Sequence, residues 1–463
     1  MHAAEEIQSR SPQDPSDVVA TAAAAEPRAV HAAAERARQA QREWWHAGAA
    51  QRASALNLLA EKLHQRRDEA TRLMVREVGK PVAEAAAEAE RAISITRFYA
   101  QAAFAPVGEL MPPSTAGKLW TERRPIGVAG LVTPWNFPLA IPLWKAAPAL
   151  AMGNAVLLKP SPEAFATALW LGRLAAEVFP DGLFQVLAGG SSTGAAVVEA
   201  ADVVSFTGSE SVGRQVVLAA ARGGTPVQAE MGGQNAAIVL PDADAERVGP
   251  LLAGAAMGYA GQKCTATRRV VVVGGPRRVA QVSAALVSAV EGLGVGDPAL
   301  DGTSVGPVIT PQSQGRLAEG ARAVRTSGGR LLTGEGPTPS TGWYVAPVVA
   351  DGLEASHHLV QEELFGPFTA VLPARGVAEA VRVADSVRFG LVTSVHGRDA
   401  GPLLEVVSQV GTGMVKVNAP TTGVDFYAPF GGEGRSSYGP REQGRAALDF
   451  YSSVRTVTFA PHP

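Results

Sequence analysis

Apolar residues recur at helical spacing through residues 28–104, as at Leu56, Leu59 and Leu63 and again at Leu73 and Val78, set among Ala, Glu and Arg. Positions three to four apart share one helix face, so this stretch predicts packed amphipathic helices. Gly79-Lys80-Pro81 predicts a helix end, because glycine takes a left-handed cap readily and proline cannot continue a helix. From residue 126 the pattern changes. Short apolar runs at 127–133, 155–159, 184–188 and 203–206 predict strands, and helical segments near 138–152, 164–178, 192–200 and 210–222 separate them. Continuously apolar strands alternating with helices predict a parallel sheet covered on both faces. A second alternating block follows, with strands near 236–240 and 268–273 and a helix near 276–292. Residues 334–342, rich in Gly, Pro, Ser and Thr, predict a surface loop.

The run 127–158 is apolar enough to resemble a membrane span. Pro134, Pro138, Pro142 and Pro148 break it, and Asn136 and Lys145 lie inside it, so buried strand, loop, helix and strand describe it better. With 463 residues the chain predicts two or three domains. Its net charge of −2 implies no broad basic field for nucleic acid or an acidic membrane. The start, Met-His-Ala-Ala-Glu-Glu, has no apolar core and reads as no secretory signal, which points to the cytoplasm. The histidines show no metal-ligand spacing, so no metal is expected; His357 and His358, the adjacent pair, are expected to face different ways.

Cys264 is the one cysteine, so it forms no intramolecular disulfide. It is either a small buried apolar side chain or a nucleophile. Its setting, Gly261-Gln262-Lys263-Cys264-Thr265, predicts a turn or helix start that favours thiolate. Ligands of open parallel sheets bind at the carboxyl ends of strands. No Gly-x-Gly-x-x-Gly occurs, but several predicted strand ends carry polar residues: Thr133-Pro134-Trp135-Asn136, Lys159-Pro160-Ser161, Thr207-Gly208-Ser209 and Glu230-Met231-Gly232-Gly233. Taken singly, each could be a turn or a solvated strand end. The third opens a predicted helix, whose free N–H groups suit phosphate.

In order, these motifs resemble the aldehyde dehydrogenase superfamily over residues 12–460: Thr-Pro-Trp-Asn-Phe-Pro at 133–138, Lys-Pro-Ser at 159–161, Phe-Thr-Gly-Ser at 206–209, Glu-Met-Gly-Gly at 230–233, Gly-Gln-Lys-Cys at 261–264, Glu-Leu-Phe-Gly-Pro at 363–367 and Pro-Phe-Gly-Gly at 429–432. The 23 residues from Asn136 to Lys159 and the 34 from Glu230 to Cys264 match the spacing of that family. The resemblance implies an α/β fold: a Rossmann-type parallel-sheet cofactor domain, an α/β catalytic domain and a small β oligomerisation element. It implies a Cys264 nucleophile, an oxyanion site formed by the Asn136 amide and the Cys264 N–H, and Glu230 as the base that activates water. It places the cofactor along Thr133, Pro134, Trp135, Lys159, Ser161, Pro162, Gly208, Ser209, Val212, Met231, Glu363 and Phe365. The family commonly has Lys-Pro-Ser-Glu; Pro162 replaces that glutamate and Glu163 is one residue late, so it is expected to point elsewhere. That departure leaves NAD and NADP both open and tilts the expectation to NADP.

The segments 413–432 and 437–444 resemble the 2-oxoglutarate-semialdehyde (2,5-dioxopentanoate) dehydrogenase branch. Phe137, Ile141, Trp144, Gly258, Tyr259, Thr421, Phe426 and Phe430 are expected to line the aldehyde pocket. No arginine among them suits a second carboxylate, so a semialdehyde and an apolar or aromatic aldehyde both stay open. Residues 1–106 and 126–230 are expected to form the cofactor domain, 231–435 the catalytic domain, and 107–125 with 436–463 the oligomerisation element and tail, in a homodimer or homotetramer. A CoA-acylating enzyme and a non-catalytic binding relative are the alternatives; Asn136, Glu230 and Cys264 together argue against the second.

Overall fold

The helical pattern of 28–104 becomes four helices, Pro27–His46, Gly48–Gln65, Arg67–Val78 and Val82–Ala102. This is a computed structural model and it describes residues 5–105 and 108–461. Residues 1–4, read above for a secretory signal, and 106–107, at a proposed boundary, lie outside the described residues, as do 462–463. Leu56, Leu59 and Leu63 are buried. Gly79 ends the third helix at φ +64°, as its position after Val78 predicts.

Five parallel strands form the first sheet, in the order Val227–Glu230, Val203–Thr207, Val128–Val132, Ala155–Lys159, Phe184–Val186. The middle three are buried along their whole length, which is why their sequences read as continuous apolar runs. The chain steps outward from Val128–Val132 on one side, then returns to build the other side. The switch point therefore falls between Val128–Val132 and Val203–Thr207, and a crevice opens beyond their carboxyl ends. A sixth strand, Ser437–Tyr438, adds antiparallel to Val227–Glu230.

The second sheet has seven strands in the order Arg330–Leu331, Val348–Asp351, Phe368–Ala374, Thr267–Val273, Asn235–Val239, Val392–His396, Met414–Val417. The first runs antiparallel and the rest are parallel. The third sheet, Leu110–Met111, Lys118–Pro125 and Ser452–Phe459, is antiparallel and leaves Leu110, Val454 and Phe459 exposed. The tail is divided: Leu448 and Phe450 of the helix Gly444–Phe450 join the first core, while Ser452–Phe459 joins the third sheet. The apolar run resolves into Val128–Val132, the wholly buried helix Ala140–Ala151 and Ala155–Lys159. No described helix is long and apolar enough to cross a membrane. The fold is α/β, as the alternating pattern predicts.

His357 and His358 do not face apart: their rings lie 4.4 Å from centroid to centroid. His357 caps a short helix, where its Nδ1 accepts from Leu359 N–H, and this turns its ring back over its neighbour.

Candidate active site

Beyond the switch point lies a cleft of about 520 Å³, between the two parallel sheets. Pro134, Trp135, Asn136, Gly208, Ser209, Met231, Cys264, Glu363 and Phe365 stand on its wall, with Ile141 beside Asn136. Thr133, Lys159, Ser161, Pro162 and Val212 are not on that wall. Lys159 is buried, and Val212 is exposed with its N–H directed at Ser209 Oγ, 3.5 Å away.

Cys264 follows a tight turn, Gly258–Gly261, in which Tyr259, Ala260 and Gly261 all have positive φ. At Gly261 a Cβ would come within 2.3 Å of the Gly366 carbonyl oxygen, so glycine is required there. Asn235, which the sequence reading did not single out, holds the Cys264 segment. Its Nδ2 donates to the carbonyls of Cys264 at 2.7 Å and Ala266 at 2.9 Å. Asn136 Nδ2 donates to the Gln262 carbonyl at 2.9 Å, which ties the first sheet's loop to the cysteine turn and leaves the amide one further N–H.

The turn does not favour thiolate, contrary to the sequence expectation. Burial pushes the Cys264 thiol up to about 12, and the Glu363 and Glu230 carboxylates add to the rise. No helix starts at Cys264 to oppose them; the segment passes from a turn into Thr267–Val273.

Glu230 ends its strand with its carboxyl buried, and burial followed by the Glu442 charge raises its pKa well above the usual carboxylate value. Ser437, Lys145 and Arg441 oppose that rise. Lys145 pairs with Glu442 and donates to Ser205 Oγ at 2.8 Å, all in the interior. Glu363 is pushed up to about 7, mainly by burial, against the pull of Arg268 and of the Gly233 N–H. Arg268 is itself buried, donates to the Gly366 and Gly261 carbonyls at 2.6 Å each, and sits 3.8 Å from Glu363. At Gly232 a Cβ would meet Glu363 Oε2 at 1.9 Å, so this glycine admits the carboxylate.

Glu163 does not point elsewhere. Pro162 opens a short 3₁₀ turn, Pro162–Ala164, that brings the Glu163 carboxylate back onto the Ser161 hydroxyl and onto the cleft wall, where its charge acts on Lys159.

The residues expected around the aldehyde divide. Trp144 and Phe430 pack together at 5.8 Å, and Phe430 with Leu391 and Val392 forms a small core against which Cys264, Met414 and Val424 pack. Phe426 meets Phe98 edge-on. Phe137 lies under the Lys80 ammonium at 3.9 Å, and Gly258 faces Glu84 and Lys263. Tyr259 is wholly buried behind Trp135 and donates to the Val78 carbonyl at 3.1 Å, and Thr421 is wholly buried on Thr267.

A dinucleotide fits the polar atoms along this cleft. On its wall Thr207 Oγ1 and Glu363 Oε1 are buried with no hydrogen-bond partner among the described residues, and Ser209 caps the helix Glu210–Gly223 at the cleft.

The model of the aldehyde dehydrogenase family matches residues 1–457. The chain is 34% identical to an alpha-ketoglutaric semialdehyde dehydrogenase of Bacillus subtilis, over 98% of this chain and 95% of that protein. It is also 34% identical to a benzaldehyde dehydrogenase [NAD(+)] of Pseudomonas putida, over 97% and 93%. A solved NAD-dependent aldehyde dehydrogenase of Sinorhizobium meliloti superposes with a TM-score of 0.95 at 30% identity, covering 99% of this chain and 93% of that one.

Proposed function

The chain belongs to the aldehyde dehydrogenase family, and from that premise we propose that it oxidises an aldehyde to a carboxylate with NAD. The observation that carries this reading is the convergence of Cys264 and Asn136 on one cleft wall, tied through the Gln262 carbonyl, with Glu230 close enough for its charge to act on the thiol. With its thiol proton passed to water in the cleft, Cys264 Sγ bonds to the carbonyl carbon as the C=O π pair moves onto oxygen. The free Asn136 N–H and the Cys264 backbone N–H stabilise that oxyanion. NAD, when bound, supplies the hydride acceptor and a cationic ring that favours the Cys264 thiolate. Hydride loss leaves a thioester on Cys264. Glu230 takes a proton from water, the water oxygen bonds to the acyl carbon, and the C–S bond breaks to release the acid. A buried carboxylate with a raised pKa is a stronger base, which supports hydrolysis over transfer to CoA.

NAD rather than NADP is supported by Glu163, whose carboxylate on the cleft wall opposes a 2′-phosphate, and by relatives whose names carry NAD. The apolar neighbours of Cys264 support an aldehyde with an apolar reacting end; the semialdehyde relatives leave room for a distal carboxylate. The exposed apolar residues of the third sheet support assembly as a homodimer or homotetramer. The test is an aldehyde panel with NAD and with NADP, following cofactor reduction and analysing product with and without CoA. Free acid, formed at a rate CoA does not change, is expected; acyl-CoA as the product would overturn hydrolysis.

A further inference from the structure

Glu230 is the last residue of its strand, and the strand beside it on the outer edge comes from the C-terminal segment. Ser437 stands directly opposite Glu230 in that antiparallel pair, and Met231 N–H donates to the Ser436 carbonyl at 2.7 Å. The backbone ladder therefore sets the two side chains against each other. Ser437 Oγ accepts from the Gly432 N–H at 2.7 Å. Its own proton then goes to Glu230 Oε2, 2.5 Å away. Glu230 Oε1 is buried and has no partner among the described residues.

We propose that Ser437 is a positioning residue for thioester hydrolysis: its hydroxyl anchors Oε2 of Glu230 and leaves Oε1 as the oxygen that takes the proton from the attacking water. This rests on the aldehyde-oxidation reading above. A hydroxyl whose oxygen is already engaged by a backbone N–H is a committed donor. It stabilises the ionised carboxylate more than the neutral acid. The other charged and titratable groups facing Glu230 are Glu442 and Lys145, which pair with each other, Arg441, and the Cys264 thiol. Burial and Glu442 drive the base towards its neutral form, while Lys145 and Arg441 oppose them alongside Ser437. Loss of the Ser437 hydroxyl leaves the first pair less opposed, so the base ionises at higher pH.

The test is Ser437→Ala and Ser437→Thr in the full-length enzyme with NAD, using 2,5-dioxopentanoate and benzaldehyde as probes. Stopped-flow absorbance follows the first-turnover formation of reduced cofactor, and quenched intact mass follows decay of the acyl-enzyme. In Ser437→Ala the pH limb for acyl-enzyme decay moves up by about one unit, with decay about tenfold slower below both limbs and recovered above them. First-turnover reduction keeps its rate. Ser437→Thr, which keeps the hydroxyl, restores the wild-type limb. A loss equal at every pH, or a profile superimposed on the wild type, overturns the proposal and leaves the aldehyde-oxidation reading standing. Absence of cofactor reduction by the wild-type enzyme with both aldehydes overturns that reading, and this proposal with it.

Discussion

Glu363→Gln is expected to stabilise the ligand-free enzyme at alkaline pH while weakening catalysis. Burial raises the Glu363 carboxyl from an ordinary value of 4.5 to about 7. A group whose pKa is higher in the folded state favours folding in its protonated form. Its relative contribution is fully present below pH 4.5 and is lost as pH rises through about 7. Above that, the ionised carboxylate costs about 3 kcal/mol relative to the neutral acid, at about 1.4 kcal/mol per unit. Glutamine imitates the neutral acid at every pH. The stability difference between Glu363→Gln and wild type should therefore shift by about 3 kcal/mol in favour of the variant between pH 4.5 and pH 8. Arg268 does not cancel this, because it loses its charged partner equally in the variant and in the protonated wild type. Guanidinium unfolding of both proteins across that range measures the shift. A stability difference that is flat with pH, or one that moves against the variant as pH rises, would refute the reasoning. The same variant should lose hydride-transfer rate if, as we propose, the cofactor lies along this cleft, since a neutral amide is a weaker acceptor than a carboxylate for its hydroxyls.

Glu163→Gln should move the ratio of kcat/KM towards NADP by about tenfold, equivalent to roughly 1.4 kcal/mol of lost repulsion; an unchanged ratio would remove Glu163 from cofactor choice. Asn136→Ala should slow first-turnover cofactor reduction by about 10²–10³, the cost of one oxyanion donor, with cofactor affinity kept. Stopped-flow rates within a few-fold of wild type would show that the Asn136 amide does not hold the oxyanion.

Much of the architecture was legible because the buried parallel strands write continuous apolar runs, as in Val128–Val132 and Ala155–Lys159, and because Gly79 marks a helix end locally. Part of the cleft wall, Trp135, Asn136, Gly208, Cys264 and Phe365 among it, was legible through motif order, whereas Ile309, Thr310, Arg316 and Arg388 on the same wall were not. What sequence spacing did not carry was how distant segments meet. Ser437 faces Glu230 across 207 positions of chain, and nothing near either residue announces the pairing. Asn235 shows its purpose only once the Cys264 turn lies over it, although it stands two residues after the Glu-Met-Gly-Gly segment. Glu163 was misplaced because counting from Lys159 ignores the 3₁₀ turn begun by Pro162. The thiol expectation failed for a related reason. Local polarity around Cys264 said thiolate, but burial raises its thiol, and carboxylates brought in from Glu363 and Glu230 add to the rise.

The central claim is that the reaction passes through a thioester on Cys264 which Glu230-activated water resolves. Glu230→Gln, mixed with NAD and an aldehyde that the wild type oxidises, tests it in one measurement. Glutamine accepts no proton from water, so the enzyme should form about one equivalent of reduced cofactor and then stall. Intact mass, followed by peptide mapping, should find the acyl group on Cys264, and Cys264→Ala should show neither the adduct nor reduced cofactor. Sustained turnover by Glu230→Gln with no adduct on Cys264 would contradict the account.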